Sequence, residues 1–510
     1  MFIFVIVIIE ITMTYIVRQK INGKTYAYEA KGEWDPVKKN SRQKRRYIGR
    51  VDENGNIIPK GSSIQITRVD GAYDFGDVFL VLRVSEDLKL DSILSVLFRK
   101  DHQRVLLLAA SRLIMPGAMR MVNAWLSRTY LDVQFPDKGI STILSKIGRM
   151  SREFTTAWLR SSQPEGAIYF DVTSLESYGT KNRFLEYGYS RAHRDMEQVN
   201  LGLVMGRSTR PLFYDVYPGS IPDVKTLLNI LSTLKRNGIT DVTLVLDRGF
   251  YASYNIRELL ESGFIMPLPF KTREAMQILK TCRNLRAEDA RMHDHSLIYT
   301  RSGTFNIDDV KMRYIYYFDP EREAVERKKF FERLTEIESE IEGIKDITRV
   351  DEIAGRYGKY ISVRKGLIVV RKNKAIARRL SRMGRIILIT NKDMKWDEAL
   401  DLYRSRDSVE KGFRDMKTEL GALPMGVHSD DTMQGYLLIE FISLIMESEL
   451  RRRMRESPLK GKMSLHEMLL ELSKLRVIRQ GDSRLLTEIS KKQREIFEAM
   501  KMNQKDLVIN

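Results

Sequence analysis

Three short runs, Ala167-Ile168-Tyr169-Phe170-Asp171-Val172, Val199-Asn200-Leu201-Gly202-Leu203-Val204-Met205 and Leu212-Phe213-Tyr214-Asp215-Val216-Tyr217, precede a helical stretch from Val224 to Arg236 and a fourth apolar run, Val242-Thr243-Leu244-Val245-Leu246-Asp247. Runs this short, rich in β-branched and aromatic residues, read as strands. Three strands, a helix and a buried strand predict an α/β fold with a mixed sheet. The theme resumes at Ile386-Ile387-Leu388-Ile389-Thr390, followed by a helix from about Trp396 to Leu420.

Working outward, residues 271–385 interrupt this rhythm. They hold strand-like Met312–Phe318 and a long charged helix on which Phe330, Leu334, Ile337, Ile341 and Ile344 recur at three and four residues. That spacing is a seam for packing against a partner surface. Upstream, residues 13–70 alternate apolar and polar, with turn signals at Asn22-Gly23, Glu53-Asn54-Gly55 and Lys60-Gly61. The basic stretch Lys38 to Arg46 fits either a solvated loop or a contact to DNA phosphates. Residues 86–160 read as helical, fitting a helix-turn-helix-like DNA reader or a plain bundle. The expected divisions are a β-rich basic region at 1–85, a helical and DNA-binding candidate at 86–164, the α/β domain at 165–270 and 386–431, an insertion at 271–385 and a helical region at 432–510.

The 510 residues carry 86 Lys and Arg against 67 Asp and Glu, a net charge of +19. Such an excess suits a polyanionic partner, because neutralising phosphates releases condensed counterions. The single cysteine, Cys282, rules out an intramolecular disulfide and a cysteine-based zinc cluster, and fits a reducing, cytoplasmic setting. Phe2 to Ile9 is an apolar run, too short to span a bilayer, which takes about 20 residues. It lacks the basic start and small-residue cleavage site of a signal peptide. No transmembrane segment is expected elsewhere. The histidines are scattered, and Met292-His293-Asp294-His295 reads as a polar loop.

Asp171 interrupts an apolar strand, and Asp247 ends one. A buried carboxylate is costly unless paired or bound to metal, and ligands of α/β sheets gather beyond the carboxyl ends of strands. A strand-end Asp is also an ordinary cap or turn former. On a wheel of 3.6 residues per turn, Leu402, Val409, Phe413, Met416 and Leu420 form an apolar stripe bordered by Tyr403, Arg406, Glu410, Arg414 and Lys417. Glu410 thus stands among three cations and a phenol. Arg406 to Glu410 is, equally, an ordinary i,i+4 pair worth about 0.2–0.5 kcal/mol. Read functionally, Asp171, Asp247 and Glu410 are three oxygen ligands for hard divalent ions. A pair of such ions, roughly 3.5–4 Å apart, serves phosphodiester chemistry.

Tyr403-x2-Arg406-x3-Glu410-x6-Lys417 resembles the Y-R-E-K signature of insertion-sequence transposases of the IS-four superfamily. Asp171 in YFDVTSLE and Asp247 in LVLDRGF resemble that family's two aspartates. Gly188-Tyr189-Ser190-Arg191-Ala192-His193-Arg194 with Gln198 resembles the G-x-S-K-x-x-R…Q stretch of the IS-sixteen-thirty-four branch, with Arg191 in place of the usual lysine. The basic stretch followed by Tyr47-Ile48-Gly49 looks like that branch too. The resemblance covers about residues 13–500. It implies a ribonuclease-H-like catalytic domain interrupted by a largely β insertion, with Asp171, Asp247 and Glu410 catalytic and holding two Mg2+ or Mn2+ ions. It also implies DNA contacts from Tyr403, Arg406 and Lys417. The helix wheel adds Arg414 to these. The implied substrates are terminal inverted repeats and target DNA, the implied chemistry strand cleavage and strand transfer, and the setting a prokaryotic cytoplasm. Synapsis of two ends implies a homodimer, for which the seam at 330–344 or the helical tail is available. The readings in competition are a nuclease that cuts without joining, a DNA-binding relic without catalysis, and a basic structural protein.

Overall fold

The computed structural model describes residues 14–21, 23–35, 39–52, 55–59, 69–136, 139–179, 182–188, 196–307, 309–342, 358–364, 368–420, 425–502 and 507. The chain divides into two units, Met1–Ala72 with Val477–Leu486, and Tyr73–Arg476 with Thr487–Asn510.

In the first unit β1 (Thr14–Ile21), β2 (Lys24–Asp35), β3 (Asn40–Val51) and β4 (Ile57–Pro59) form an antiparallel sheet in sequence order. Ile21 faces Lys24 across a turn that Gly23 closes at φ +80°, a backbone region open to glycine at little cost. The turn expected at Gly55 is also present, at φ +86°. Lys60-Gly61 lies outside the described residues. The basic stretch is a strand rather than a loop: residues 40–46 of β3 are exposed throughout and pair with β2, so their cations project from both faces. A hairpin, β17 (Arg476–Gln480) and β18 (Ser483–Leu486), breaks the expected all-helical tail, its turn made by Gly481 at φ +54°.

The second unit opens, after the short strand β5 (Gly71–Asp74), with helices α1 (Gly76–Asp87), α2 (Leu90–Phe98), α3 (His102–Ile114), α4 (Val122–Leu126), α5 (Gly139–Gly148) and α6 (Ser151–Ser162). Helix formation thus begins earlier than the expected 86. The α/β part follows as β6 (Gly166–Glu176), β7 (Gln198–Met205), β8 (Pro211–Pro218), α7 (Asp223–Arg236), β9 (Val242–Val245), α8 (Ser253–Leu259), β10 (Gly263–Pro267) and α9 (Arg273–Thr281). Next come β11 (Ala290–His293), β12 (Ser296–Ile307), β13 (Val310–Phe318), α10 (Pro320–Glu342), β14 (Ile361–Arg364), β15 (Ile368–Arg371), α11 (Asn373–Leu380) and β16 (Arg385–Thr390). The chain closes with α12 (Trp396–Arg404), α13 (Asp407–Arg414), α14 (Asp430–Arg455), α15 (Leu465–Ser473) and α16 (Lys491–Ala499).

Among the described residues nine strands make one mixed sheet in the order β11-β12-β13-β16-β10-β9-β6-β7-β8. The β6-β7-β8 meander is antiparallel, whereas β9 runs parallel to β6 and β10 parallel to β9. One face buries Ile168, Phe170, Val172, Leu244 and Phe264 against Leu227 and Ile230 of α7, Ile256 and Leu259 of α8 and Ile278 of α9. The other receives α13 and α14. Close approach of α5 and α14 depends on two glycines: a Cβ on Gly435 would strike the Leu144 carbonyl, and one on Gly148 the Asp431 carbonyl.

The segment expected as an insertion, 271–385, behaves in two ways. Its strands β11, β12 and β13 continue the main sheet, because β13 pairs with β16 along Arg313–Phe318. Only α10, the β14–β15 hairpin and α11 build a small core of their own, from Leu334, Ile337, Ile341, Ile361 and Ile376. The seam proposed for a partner chain is therefore spent inside the molecule. Glu338 of α10 locks it by accepting two hydrogen bonds from Arg371, each 2.6 Å. Ile344 lies outside the described residues. No single helix among the described residues is long and apolar enough to cross a membrane.

Candidate active site

Asp171 sits in β6 with its side chain 15% exposed, between Phe170 and Val172, which point into the core. Its Oδ1 accepts from the Val172 N–H at 2.8 Å. Tyr169 of β6 stands opposite Val245 of β9 in parallel register. Two residues on along each chain come Asp171 and Asp247, so the aspartates leave two neighbouring strands at the same level, where strand spacing is about 4.8 Å. Asp247 is half-buried and opens the turn Arg248–Phe250, its carbonyl accepting from the Phe250 N–H at 3.1 Å.

The helix expected from Trp396 to Leu420 is three pieces. It breaks at Ser405–Arg406, where Ser408 and Val409 bond three residues back, to Ser405 and Arg406. Ser405 is drawn to the Tyr169 phenol of β6. Beyond α13, Asp415–Glu419 winds as a π-helix closed by Leu420 N–H to the Asp415 carbonyl at 2.9 Å. Such widened turns cluster at functional sites. The expected apolar stripe survives, with Val409, Phe413, Met416 and Leu420 buried, while Leu402 is half-buried.

The break puts Arg406 at the centre of the site. Its Nη2 donates to Glu410 Oε1 at 2.6 Å and its Nη1 to Asp171 Oδ2 at 3.4 Å, with the Arg406 side chain 15% exposed and Glu410 53% exposed. Burial alone would lower the guanidinium's pKa, but Asp247, Tyr403, Asp171 and Glu410 outweigh it, and the net shift is upward. All three predicted carboxylates therefore act on one cation. Tyr403 lies alongside, its ring centroid 5.9 Å from the Arg406 guanidinium carbon. Its phenol is pushed up mainly by burial, with Arg406 opposing and Asp247 adding a smaller rise. Lys417, carried by the π-helix, donates to Thr173 Oγ1 at 2.8 Å. Thr173 is two residues from Asp171 and so on the same face of β6.

Arg414 departs from the expected stripe: it lines a cavity with Lys411, Asp415 and Arg451. Gln198 is fully buried, and its amide donates to the Gly219 carbonyl at 3.4 Å. Residues 189–195, with most of the Gly188–Arg194 motif, lie outside the described residues. Sequence reading missed Thr173, although the strand period of two from Asp171 pointed to it. It also missed Arg248, whose charge acts on Tyr403, and which adjoins Asp247.

Among the described residues, no three Asp, Glu, His or Cys side chains stand close enough to share one ion. Asp171 and Glu410 are instead bridged by the Arg406 guanidinium. The donor chemistry nevertheless suits a hard cation: the predicted ligands are carboxylates, and no thiol enters the set.

A comparison with curated proteins finds no match. The chain does match the family model described as transposase DDE domain, over residues 162–446, more than half its length and enclosing Asp171, Asp247, Tyr403, Arg406, Glu410 and Lys417. The matched stretch runs from the end of α6 into α14, so it takes in the mixed sheet and both helices of the site. With the site in view and the match spanning it, the chain belongs to the transposase DDE domain family.

Proposed function

We propose that the protein is an insertion-sequence transposase of the IS-four superfamily, in its IS-sixteen-thirty-four-like branch, which cleaves the inverted-repeat ends of its element and joins them to target DNA. The observation that carries this reading is the convergence of Asp171, Asp247 and Glu410, far apart in sequence, on the single cation Arg406. A site able to hold one buried guanidinium among three carboxylates has the charge to hold divalent metal in its place. Asp171, Asp247 and Glu410 would be the ligands of two Mg2+ or Mn2+ ions. When bound, such ions activate the attacking oxygen and stabilise the leaving one.

The chain's own groups have the remaining work of binding and aiming the DNA. Lys417, anchored on Thr173 beside Asp171, presents a point charge to a phosphate at the carboxylates. Arg406, released from Asp171 and Glu410, offers a planar fork suited to a phosphate's two oxygens. Tyr403 keeps its proton, since burial raises its pKa, and can donate to the same backbone. Arg414 is assigned to DNA as well, through the cavity it lines. Two element ends held together call for a homodimer. With the α10 seam occupied from within, the helical C-terminal region is the remaining surface for it.

The test is a strand-transfer assay with a labelled element end and a supercoiled target, in Mg2+ and in Mn2+. Joined product, lost in Asp171→Asn, supports the reading. Cleavage with no joined product would make the protein a nuclease. Metal-independent, sequence-blind binding with neither product would make it a structural basic protein.

A further inference from the structure

Helix α13 has a second working face. Arg406 and Glu410 turn toward Asp171, and at 3.6 residues per turn Ser408, Lys411 and Asp415 fall on the opposite side. That side opens into a cavity of about 360 Å3 walled by α13, the end of β7, the last turns of α14 and the loop before α15. Its charged lining is Lys411 and Arg414 from α13, Arg451 and Arg455 from α14 and Lys460 from the loop, against one carboxylate, Asp415.

The cations are held in place. Arg455 donates to Thr209 Oγ1 at 3.1 Å. Arg451 reaches Glu447 at 2.7 Å and Asp415 at 3.9 Å, tying α14 to the π-helix that carries Lys417. A larger cavity next door, of about 1140 Å3, makes the contrast: Asp397, Glu398, Asp401 and Asp407 offset its cations. Of these two adjoining cavities, the smaller is the one with a positive excess in its lining, although its Lys411 also pairs with Asp407 at 2.6 Å. A solvated charged face would not need walls, and a small apolar ligand would not need five cations.

We propose that this cleft is a second DNA-backbone site, gripping phosphates of the same strand a short distance from the one held at Asp171, Asp247 and Glu410. The inference rests on the transposase reading and deepens it by adding a contact on the far side of the catalytic helix. A helix with its side chains is about 10–12 Å across, and DNA advances 3.4 Å per step along each strand. Because phosphates wind around the duplex axis and stand farther apart than this rise, the phosphates gripped lie a few steps from the scissile one.

The test uses full-length protein and uncleaved duplex carrying an element end, without divalent metal. In Arg455→Gln/Lys460→Gln, the slope of log affinity against log salt should shrink by about 1.8, two contacts at about 0.9 each. The loss should be equal for element and random duplex, because phosphate contacts carry no sequence information. Lys460→Cys, bearing a photo-crosslinker, should attach within a few nucleotides of the cleavage position. The native Cys282 is 1% exposed and does not compete. An unchanged salt slope, or a crosslink that is absent or maps more than about a helical turn of DNA away, overturns the cleft assignment. If the unsubstituted protein binds no DNA, the transposase reading falls with it. If it binds and cuts while the crosslink goes elsewhere, only the cleft assignment falls.

Discussion

Arg406 shows how one side chain fixes the character of the site. It is mostly buried, yet its charge is favoured because the three carboxylates outweigh the cost of desolvation. It therefore competes with divalent ions for Asp171 and Glu410. Without DNA, Arg406→Gln should bind Mn2+ about tenfold or more tightly than the parent, a change of at least about 1.4 kcal/mol, while its DNA affinity drops. Equal Mn2+ affinity by titration calorimetry would remove Arg406 from the competition. Lys417 makes a different kind of contact, a point charge held by Thr173. Lys417→Ala should weaken end binding across sequences and lower the salt slope by about 1. An unchanged slope would leave Lys417 as a strut between the π-helix and β6. The helix wheel set Tyr403, Arg406, Glu410, Arg414 and Lys417 along one edge of a single helix, and the resemblance gave roles to all but Arg414. The fold keeps Tyr403, Arg406, Glu410 and Lys417 toward β6 and turns Arg414 to the cavity behind. Their partners were not legible in the sequence, because Thr173 lies some 240 residues away and only the sheet brings it near.

At the scale of elements, short β-branched and aromatic runs pointed to β6, β7, β8 and β9 in a mixed sheet, with the helix α7 between β8 and β9. The sequence did not foretell that β11, β12 and β13 would extend the same sheet, since strand partners distant in sequence leave no local signal. Nor did a wheel of constant pitch anticipate the break at Ser405–Arg406 or the π-helix at Asp415–Glu419. Both arise from contacts made after folding. The Leu420 carbonyl, at the end of the π-helix, accepts from Arg112 of α3. Arg112 is 2% exposed and pairs at 2.7 Å with Glu440 of α14, itself fully buried. The end of the π-helix that follows α13 is thus moored to two other helices through one ion pair. Removing one partner of such a pair costs about 3–5 kcal/mol, because the other charge is left uncompensated. Arg112→Leu should lose that much stability in urea melts, and a loss under about 1 kcal/mol would mean that Glu440 is neutral in the fold. Burial does push Glu440 up to about 7, against Arg112 and Tyr436, so the melts belong at pH 8.

Across the whole molecule, charge and burial pull in opposite directions. The excess of +19 suits a polyanionic partner. The fold distributes part of it on the exposed strand β3 and part in the cleft behind α13. Carboxylates meanwhile are buried in the helical part. Asp77 of α1 is 2% exposed, and burial raises its pKa from 3.8 to about 6, with Asp74 adding to the rise. The folded state therefore keeps this proton up to about pH 6 while the unfolded chain releases it near 3.8. Between those values the folded state binds more protons, so the contribution of Asp77 to stability declines as pH rises through that window. Relative to Asp77→Asn, the parent should lose up to about 3 kcal/mol from below pH 4 to above pH 6. A difference that stays flat would show Asp77 ionised in the fold. If three segments distant in the chain make one pocket for divalent cations, Fe2+ bound there should direct hydroxyl-radical cuts to the backbone around it. Cuts near residues 171, 247 and 410 together, suppressed by excess Mg2+, are the predicted result. Cuts at one of these segments alone, or at none, would contradict it.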